Sequence, residues 1–291
     1  MWFFIFIAMN VRIGGVPEHF NLPWLLAIEQ GIFQREGIQV EWQFFPGGSG
    51  AMHNALKYDQ IDLAILLTEG FIAAAAQGLQ AKIIKTYIDS PLRWGIYTGP
   101  QSGISVFSRQ ENDTFAISRP GSGSHLMPLI HAQQEGFRLI DGQFVIVDDL
   151  KHAVVSLDRL ESRYFYWEKY TTLPLVKTGN LRKIGEFSAP WSSFLIAGNP
   201  EFIKQHKSSL KTMIEIVDNI SGNASTDPYF KEQVQQRFHL TVEETEEWLS
   251  AVQWNQGVGL SDLSLNEAIQ SLQQTGVLVK PLDPESFLLP L

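Results

Sequence analysis

The chain has 291 residues, of which 44% are hydrophobic, and it contains no cysteine. This length and composition allow a buried core in one large domain or two lobes and exclude a disordered chain. The formal net charge of -9 gives no general attraction for nucleic acid or anionic lipid. The missing cysteines exclude disulfides, thiolate metal sites and cysteine nucleophiles. A polyanionic partner is therefore not expected.

Residues 2–8 are the one candidate targeting segment. They are apolar or small, but no basic residue precedes them, no small-x-small cleavage site follows them, and they are too short to span a bilayer. We expect residues 1–8 to be an upstream extension of a chain that starts at Met9, or a simple extension of the first strand. We prefer both to a degenerate signal peptide. We therefore expect a cytoplasmic location in preference to a periplasmic one, and no membrane insertion.

The first ninety residues alternate predicted strands with predicted helices. Strands begin near residues 11, 38, 63 and 81, and the segment at 63–67 is apolar without alternation, as in a strand that helices cover on both faces. Such a series predicts a mainly parallel sheet with right-handed crossovers.

A second series begins at Thr114 and repeats the plan of the first. Ser124 is a good N-cap for a helix that reaches Gly136, and Asp149 caps the next helix. After a last apolar strand at 193–197, the chain is predicted to be helical almost to Gly276. We predict an α/β fold with two Rossmann-like lobes of mixed, mainly parallel sheets, joined by a two-strand hinge. The predicted boundaries are 1–91 and 192–291 for lobe 1, and 92–191 for lobe 2.

A glycine-bearing loop follows a strand at equivalent places in the two halves. Residues 46–50 read Pro-Gly-Gly-Ser-Gly, without the Lys-Ser/Thr ending of a P-loop or the glycine spacing of a dinucleotide fingerprint. Residues 120–124 repeat this pattern. Each loop is either a backbone nest that holds a small polar or anionic ligand at a helix N-terminus, or a plain tight turn.

Two histidines and three carboxylates also fall in strand-to-helix loops. His19 and His125 each either hydrogen-bond a ligand or cap local backbone. Glu18, Glu69 and Glu168 either include a paired acid and base or form salt bridges with Arg119 or Arg12. Because no histidine has metal-ligand spacing and no serine lies in a G-x-S-x-G or Ser-x-x-Lys motif, we predict no metal site, no cofactor and no catalytic residue.

Two longer segments carry a family resemblance. VRIGGVPEHFNLPWLLAIEQGIFQREGIQVEW followed by FFPGGSGAMHNALKYDQIDLAI resembles the opening of alkanesulfonate-, nitrate- and thiamine-precursor-binding proteins, the SsuA/NMT-like superfamily of the type II periplasmic-binding-protein-like fold. YFYWEKYTTLP with LRKIGEFSAPWSSFLIA is similar to a subgroup from fungi and bacteria with an FYWEKYTT-type motif. The resemblance covers roughly residues 11–249.

The resemblance implies a hinged receptor that binds a small ligand between two lobes. Arg119 would pair with a sulfonate or carboxylate, whereas Glu69 or Glu168 would accept hydrogen bonds from an aminopyrimidine. The residues implied to face the ligand are Pro17, Glu18, His19, Gly48, Ser49, Gly50, Thr68, Glu69, Ser118, Arg119, Gly121, Ser122, Ser124, Trp167 and Glu168.

We therefore expect a monomeric, solute-binding-protein-like molecule that closes around a small organic ligand, anionic or aminopyrimidine-like. It would act as a transporter receptor or as an intracellular carrier or sensor, with an ABC-type permease as partner if the chain is exported. The alternative is a metal-free enzyme, a lyase or synthase of cofactor biosynthesis, that uses Glu18 or His19 on the same scaffold. Pyrimidine-forming enzymes of this superfamily use a cysteine-rich segment, which this chain lacks.

Overall fold

The computed structural model describes residues 9–108, 110, 112–257 and 262–291, so the expectation for residues 1–8 lies outside the described residues. Within these ranges, ten strands form two five-stranded sheets. The strands are β1 Met9–Gly15, β2 Ile38–Phe44, β3 Leu63–Leu67, β4 Lys82–Ile88, β5 Arg93–Thr98, β6 Phe115–Ile117, β7 Phe144–Ile146, β8 Tyr164–Glu168, β9 Arg182–Ser188 and β10 Phe194–Gly198.

Helices connect and cover these strands. In the described ranges they are α1 Leu22–Glu29, α2 Ile32–Arg35, α3 Ser49–Lys57, α4 Thr68–Ala76, α5 Gly123–Gln134, α6 Leu150–Asp158, α7 Lys169–Lys177, α8 Pro200–Gln205, α9 Lys207–Gly222, α10 Pro228–Phe238, α11 Val242–Ala251 and α12 Asp262–Gln274. None of the described helices is long and apolar enough to cross a bilayer.

The two sheets share one topology. The first has the order β2-β1-β3-β10-β4, and the second has the order β7-β6-β8-β5-β9. In each, the first three strands are parallel, and the fourth runs antiparallel to both of its neighbours. The predicted fold class, α/β with mixed and mainly parallel sheets, is confirmed.

The buried strands explain why the sheets form here. Residues 63–66 of β3 are at most 1% exposed, as the absence of alternation predicts for a strand covered on both faces. Asp149 caps α6 by accepting a hydrogen bond from the backbone N–H of His152, as predicted. The α5 prediction needs a correction, because Ser122 is the N-cap residue and Ser124 lies inside the first turn.

The chain passes between the sheets twice, after β4 and after β9, and the two passages lie side by side. Ser193 N–H donates to the carbonyl of Ile88 at 3.0 Å, and its hydroxyl donates to the carbonyl of Ser90 at 2.8 Å. The first sheet takes strands from both ends of the chain, and the second takes strands from residues 93–188 alone. The exact lobe boundaries stay a prediction.

Candidate functional site

A cavity of about 280 Å³ lies where the carboxyl ends of six parallel strands from the two sheets face each other. Loops after β1, β2 and β3 form one wall, and loops after β6, β7 and β8 form the other. Ligands bind in α/β proteins at this edge, because free N–H groups and side chains converge there. We call this cavity the cleft.

Ten of the fifteen residues proposed from the sequence line the cleft. They are Pro17, Glu18, Gly48, Ser49, Ser118, Arg119, Ser122, Ser124, Trp167 and Glu168. The structure places the other five elsewhere: His19, Gly50, Thr68, Glu69 and Gly121.

Arg119 crosses the gap from the second wall to the glycine loop of the first. A Cβ atom added at Gly50 would lie 2.4 Å from Arg119 Nε, and one added at Gly47 would lie 3.1 Å from Arg119 Nη1. A side chain at Gly50 would therefore displace the guanidinium from this position, which gives the loop a packing role that its sequence did not reveal. Arg119 Nε and Nη2 are buried without a hydrogen-bond partner among the described residues.

Three serines form a connected cluster at the start of α5. Ser118 N–H donates to Ser124 Oγ at 2.9 Å, and Ser122 Oγ lies 3.0 Å from Ser124 Oγ. The Ser122 hydroxyl donates to the Arg119 carbonyl at 2.7 Å. These bonds fix the loop, and the first N–H groups of α5 beside it have no intrahelical acceptor, as at every helix start. A helix N-terminus of this kind favours negative charge.

Glu168 ends β8 and caps α7. Its Oε2 accepts hydrogen bonds from Thr171 N–H at 2.7 Å and from Thr171 Oγ1 at 2.8 Å. Its Oε1 is buried and has no hydrogen-bond partner in the described part of the chain. Burial raises the pKa of Glu168, although the Thr171 bonds oppose this rise. One oxygen of this carboxyl is therefore occupied by structure, and the other has no hydrogen bond among the described residues.

Glu18 lines the same part of the cleft. Burial raises the pKa of the Glu18 carboxyl, and the nearby charge of Glu168 raises it further. Two carboxyl groups that repel each other in a water-poor site take up protons more readily than they do in water. Together they can accept or donate hydrogen bonds, depending on pH.

His19 is sealed beneath the cleft and does not line it. The ring is fully buried, with Phe20, Tyr170, Phe238 and Trp248 around it at centroid distances of 4.4 to 5.8 Å. Its Nε2 lies 3.8 Å from Glu168 Oε1, beyond hydrogen-bond distance. Burial lowers the pKa of His19 to about 3, so the ring is neutral at pH 7. These four aromatic rings explain why a histidine in a strand-to-helix loop belongs to the buried core.

Thr68 and Glu69 are also buried away from the cleft. The Thr68 hydroxyl donates to the Ser192 carbonyl, and Glu69 Oε2 accepts a hydrogen bond from Trp191 Nε1 at 2.9 Å. Both contacts tie the start of α4 to the second passage between the sheets. Burial raises the pKa of Glu69 to about 7, and the indole hydrogen bond opposes this rise.

Gly50 and Gly121 line a different cavity, on the other side of Arg119. His125, for which a ligand contact and a backbone cap were both open, accepts a hydrogen bond at Nδ1 from Gly121 N–H at 3.1 Å. The structure therefore gives His125 the local backbone role.

Sequence reasoning missed several lining residues. The apolar ones include Leu67, Leu92 and Phe194, and the charged ones are Asp149 and Lys151. The two charged residues follow β7, so their place after a strand was a usable signal. In the described ranges, no group of three or more His, Asp or Glu side chains has the arrangement of a metal site.

Family comparisons divide the chain into two matched segments. Residues 8–90 match the NMT1-like family, and residues 94–187 match the Ca3427-like PBP family. The Candida albicans CA3427 gene product, described as having the generic periplasmic binding protein fold, superposes with a TM-score of 0.87 at 26% identity, over 96% of this chain and 95% of that chain. This chain has the periplasmic binding protein fold.

Other structures with the periplasmic binding protein fold match over nearly the whole chain. The alkanesulfonate-binding protein SsuA from Xanthomonas axonopodis pv. citri, bound to MOPS, has a TM-score of 0.80 at 14% identity, covering 97% of this chain and 98% of that one. The nitrate-binding protein NrtA from Synechocystis PCC 6803 has a TM-score of 0.69 at 14% identity, covering 96% and 84%. No curated protein matches the chain by sequence. The expected resemblance is confirmed.

Proposed function

We propose that this protein is a solute-binding protein whose cleft holds a small organic molecule with an acidic group, a sulfonate or a carboxylate. The cleft volume of about 280 Å³ suits a small molecule. Its similarity to an alkanesulfonate-binding and a nitrate-binding protein supports an anionic ligand. These relatives are binding proteins, which favours binding over the enzyme alternative.

The observation that carries this proposal is the state of Arg119. Its guanidinium reaches the cleft with two buried nitrogens that have no partner among the described residues. Burial lowers the pKa of Arg119, the charge of Asp148 opposes this fall, and an arginine stays charged at pH 7. A buried charge without a partner raises the free energy of the folded protein. A ligand anion that pairs with this charge lowers that free energy, which favours binding.

The surroundings of Arg119 fit the remainder of such a ligand. The N-terminus of α5 offers free backbone N–H groups, and Lys151 adds a second cation at the cleft. Trp94, Trp167 and Phe194 supply apolar walls for a carbon skeleton. Micromolar affinity needs about 8 kcal/mol, which a helix terminus alone does not provide.

A nitrogenous, aminopyrimidine-like ligand is the second candidate, and Glu168 is the observation that favours it. Its Oε1 has no hydrogen-bond partner among the described residues, its charge acts on the Glu18 carboxyl, and both residues line the cleft. Two such carboxyls accept hydrogen bonds from amino groups of a ligand. Binding would then require each carboxyl either to be ionised and accept hydrogen bonds, or to be protonated and both donate and accept them.

We further propose that the two halves close around the ligand about the paired passages after β4 and β9. The physiological role is then that of a receptor for an ABC-type permease, if the chain is exported, or of a carrier or sensor inside the cell. A cytoplasmic location and a monomeric state belong to the same proposal.

A thermal-shift panel of sulfonates, carboxylates, aminopyrimidines and nucleobases tests the proposal. A true ligand at a hundredfold its Kd adds about 2.7 kcal/mol, which shifts Tm by roughly 5 to 10 °C for a chain of this size. Trp167→Ala should lose this response, and Tyr58→Ala, an exposed aromatic outside the cleft, should keep it. Recovery of the ligand chemically unchanged separates binding from turnover. A compound that shifts the Tm of Trp167→Ala as much as that of the wild type would contradict a ligand in the cleft.

A further inference from the structure

A second cavity, of about 240 Å³, lies behind Arg119, between α3 and α4. The loop at residues 119–121 forms its remaining wall. Each helix contributes residues at positions i, i+3, i+4 and i+7, which is the spacing of one helical face. These are Gly50, His53, Asn54 and Lys57 from α3, and Gly70, Ala73, Ala74 and the C-cap residue Gln77 from α4, and Leu79 after α4 also lines the cavity.

The two helix faces have different chemistry. The α4 face presents small residues, and Ala73 and Ala74 leave the space open. The α3 face presents an imidazole, an amide and an ammonium group, and Arg119 adds a guanidinium. The described residues that line this cavity include no carboxylate, in a chain with a formal net charge of -9. The lining is therefore positive, and the charge of Asp148, outside the lining, also acts on Arg119.

Three nitrogen atoms of the lining lack partners. His53 Nε2 is buried without a hydrogen bond, as are Arg119 Nε and Nη2, within the part of the chain that the structure describes. Burial and the charge of Arg119 lower the pKa of His53 to about 4, so this ring is neutral at pH 7 and offers a single N–H. Buried donors are almost always satisfied, so the two Arg119 nitrogens, together with His53 Nε2 in the tautomer that carries its proton there, point to a bound acceptor.

We propose that this second cavity binds a small oxyanion, with His53, Lys57 and Arg119 as its donors. Helices α3 and α4 flank the first sheet, whereas Arg119 follows β6 of the second. An oxyanion bound there contacts both halves of the molecule at once. This cavity lies on the other side of Arg119 from the cleft, and because Arg119 lines both cavities, an anion here and an acidic ligand in the cleft would share its guanidinium.

Isothermal titration calorimetry with inorganic phosphate and with sulfate, at ionic strength held constant with sodium chloride, tests this site. The purified chain should bind either anion at millimolar concentration or below. Ala74→Leu fills the cavity without changing charge and should abolish binding. Ala76→Leu makes the same change at an exposed position of α4 and should leave binding intact. Equal binding by the two variants would overturn the proposal, as would no binding by the unmodified chain.

Charge and hydrogen-bond variants give a second, independent readout. His53→Leu should weaken phosphate binding by about tenfold, because one buried bond to an anion is lost. Lys57→Gln should weaken it by roughly two- to fivefold, since its ammonium is exposed. Lys211→Gln removes an exposed lysine of α9 and should have no effect beyond screening. Equal losses for Lys57→Gln and Lys211→Gln would place the anion elsewhere.

A cleft variant separates this site from the proposed function. Trp167→Ala should leave phosphate affinity unchanged, because Trp167 lines only the cleft of the two cavities. Phosphate binding that disappears in Trp167→Ala and persists in Ala74→Leu would mean that phosphate occupies the cleft. That result would overturn the second site and leave the proposed function standing.

Discussion

Glu69 and Glu168 occupy equivalent places in the two sheets, and the structure uses them differently. Glu69 follows β3 and Glu168 ends β8, each at the carboxyl end of the central strand of its sheet. Trp191 donates to Glu69 and helps seal it in the interior, whereas one oxygen of Glu168 stays unpartnered in the cleft. A strand-end carboxylate is therefore a ligand candidate only where no structural donor takes it.

Burial raises the pKa of both carboxyl groups, so each should respond to pH near neutrality. The consequences differ with their surroundings. Titration of the sealed Glu69 changes the free energy of unfolding. Titration of Glu168, which faces the cleft, should change ligand affinity as well.

Removal of the Glu69 donor should have the largest effect. Trp191→Phe leaves a buried carboxyl without its partner and opens space in the core, which should lower the free energy of unfolding by about 3 kcal/mol. Urea unfolding measures the loss. Trp42→Phe is the matched control, because the indole N–H of Trp42 has no hydrogen-bond partner among the described residues. Equal losses in both variants would show that the Glu69 bond contributes little.

Glu69→Gln should produce an effect of similar size, about 3 kcal/mol in total, that depends on pH. The folded pKa of about 7 lies above the ordinary value of 4.5, so the proton stabilises the fold below pH 4.5 and this contribution is lost as the pH rises through 7. The wild type should therefore lose up to about 1.4 kcal/mol per pH unit relative to Glu69→Gln across this window. Urea unfolding from pH 4.5 to pH 8 measures it, with the exposed Glu36→Gln as control. Parallel stability curves for wild type and Glu69→Gln would contradict it.

Glu168→Gln should have the smallest effect, on affinity, and its sign distinguishes the two ligand classes. The raised pKa of Glu168 places its ionisation nearer to neutral pH, where the new charge repels an acidic ligand. Relative to the wild type at pH 8.5, Glu168→Gln should bind an acidic ligand roughly three- to tenfold tighter and a nitrogenous one weaker by a similar factor. Calorimetry with the compound identified in the thermal-shift panel measures its affinity for the wild type and for Glu168→Gln.

Glu69→Gln is the control for this affinity measurement, because its side chain is sealed from the cleft. It should leave ligand affinity within about twofold of the wild type. An equal effect of Glu69→Gln and Glu168→Gln would erase the distinction between the two carboxylates. Glu18 keeps its own titration in both variants, so a residual pH dependence is expected.

The parallel core of the fold could be predicted from the sequence, because continuous apolar segments such as 63–67 have few alternatives. The antiparallel β5 and the edge strand β9 were missed. Arg93 and Lys183 interrupt the apolar pattern of these strands, and their pairing joins residues about ninety positions apart. Long-range pairing of this kind leaves no local signal.

Cleft residues could be predicted from the sequence only where a position at the end of a strand is enough to place the residue in the cleft. Strand-end loops placed Ser49, Ser118 and Arg119 in the cleft as expected. The burial of His19 depends on Phe238 and Trp248, which come from helices more than two hundred residues later in the chain. The partner of Glu69 is similarly remote. Tertiary contacts of this kind separate ligand-facing residues from structural ones, and a single sequence does not contain them.

The position of β10 also bears on how the chain folds during synthesis. This strand lies between β3 and β4, which do not pair with each other, so the first sheet stays incomplete until residue 198 has left the ribosome. The second sheet needs nothing beyond residue 188. We therefore expect the half formed by residues 93–188 to fold first. Until β10 pairs with them, the facing edges of β3 and β4 stay exposed.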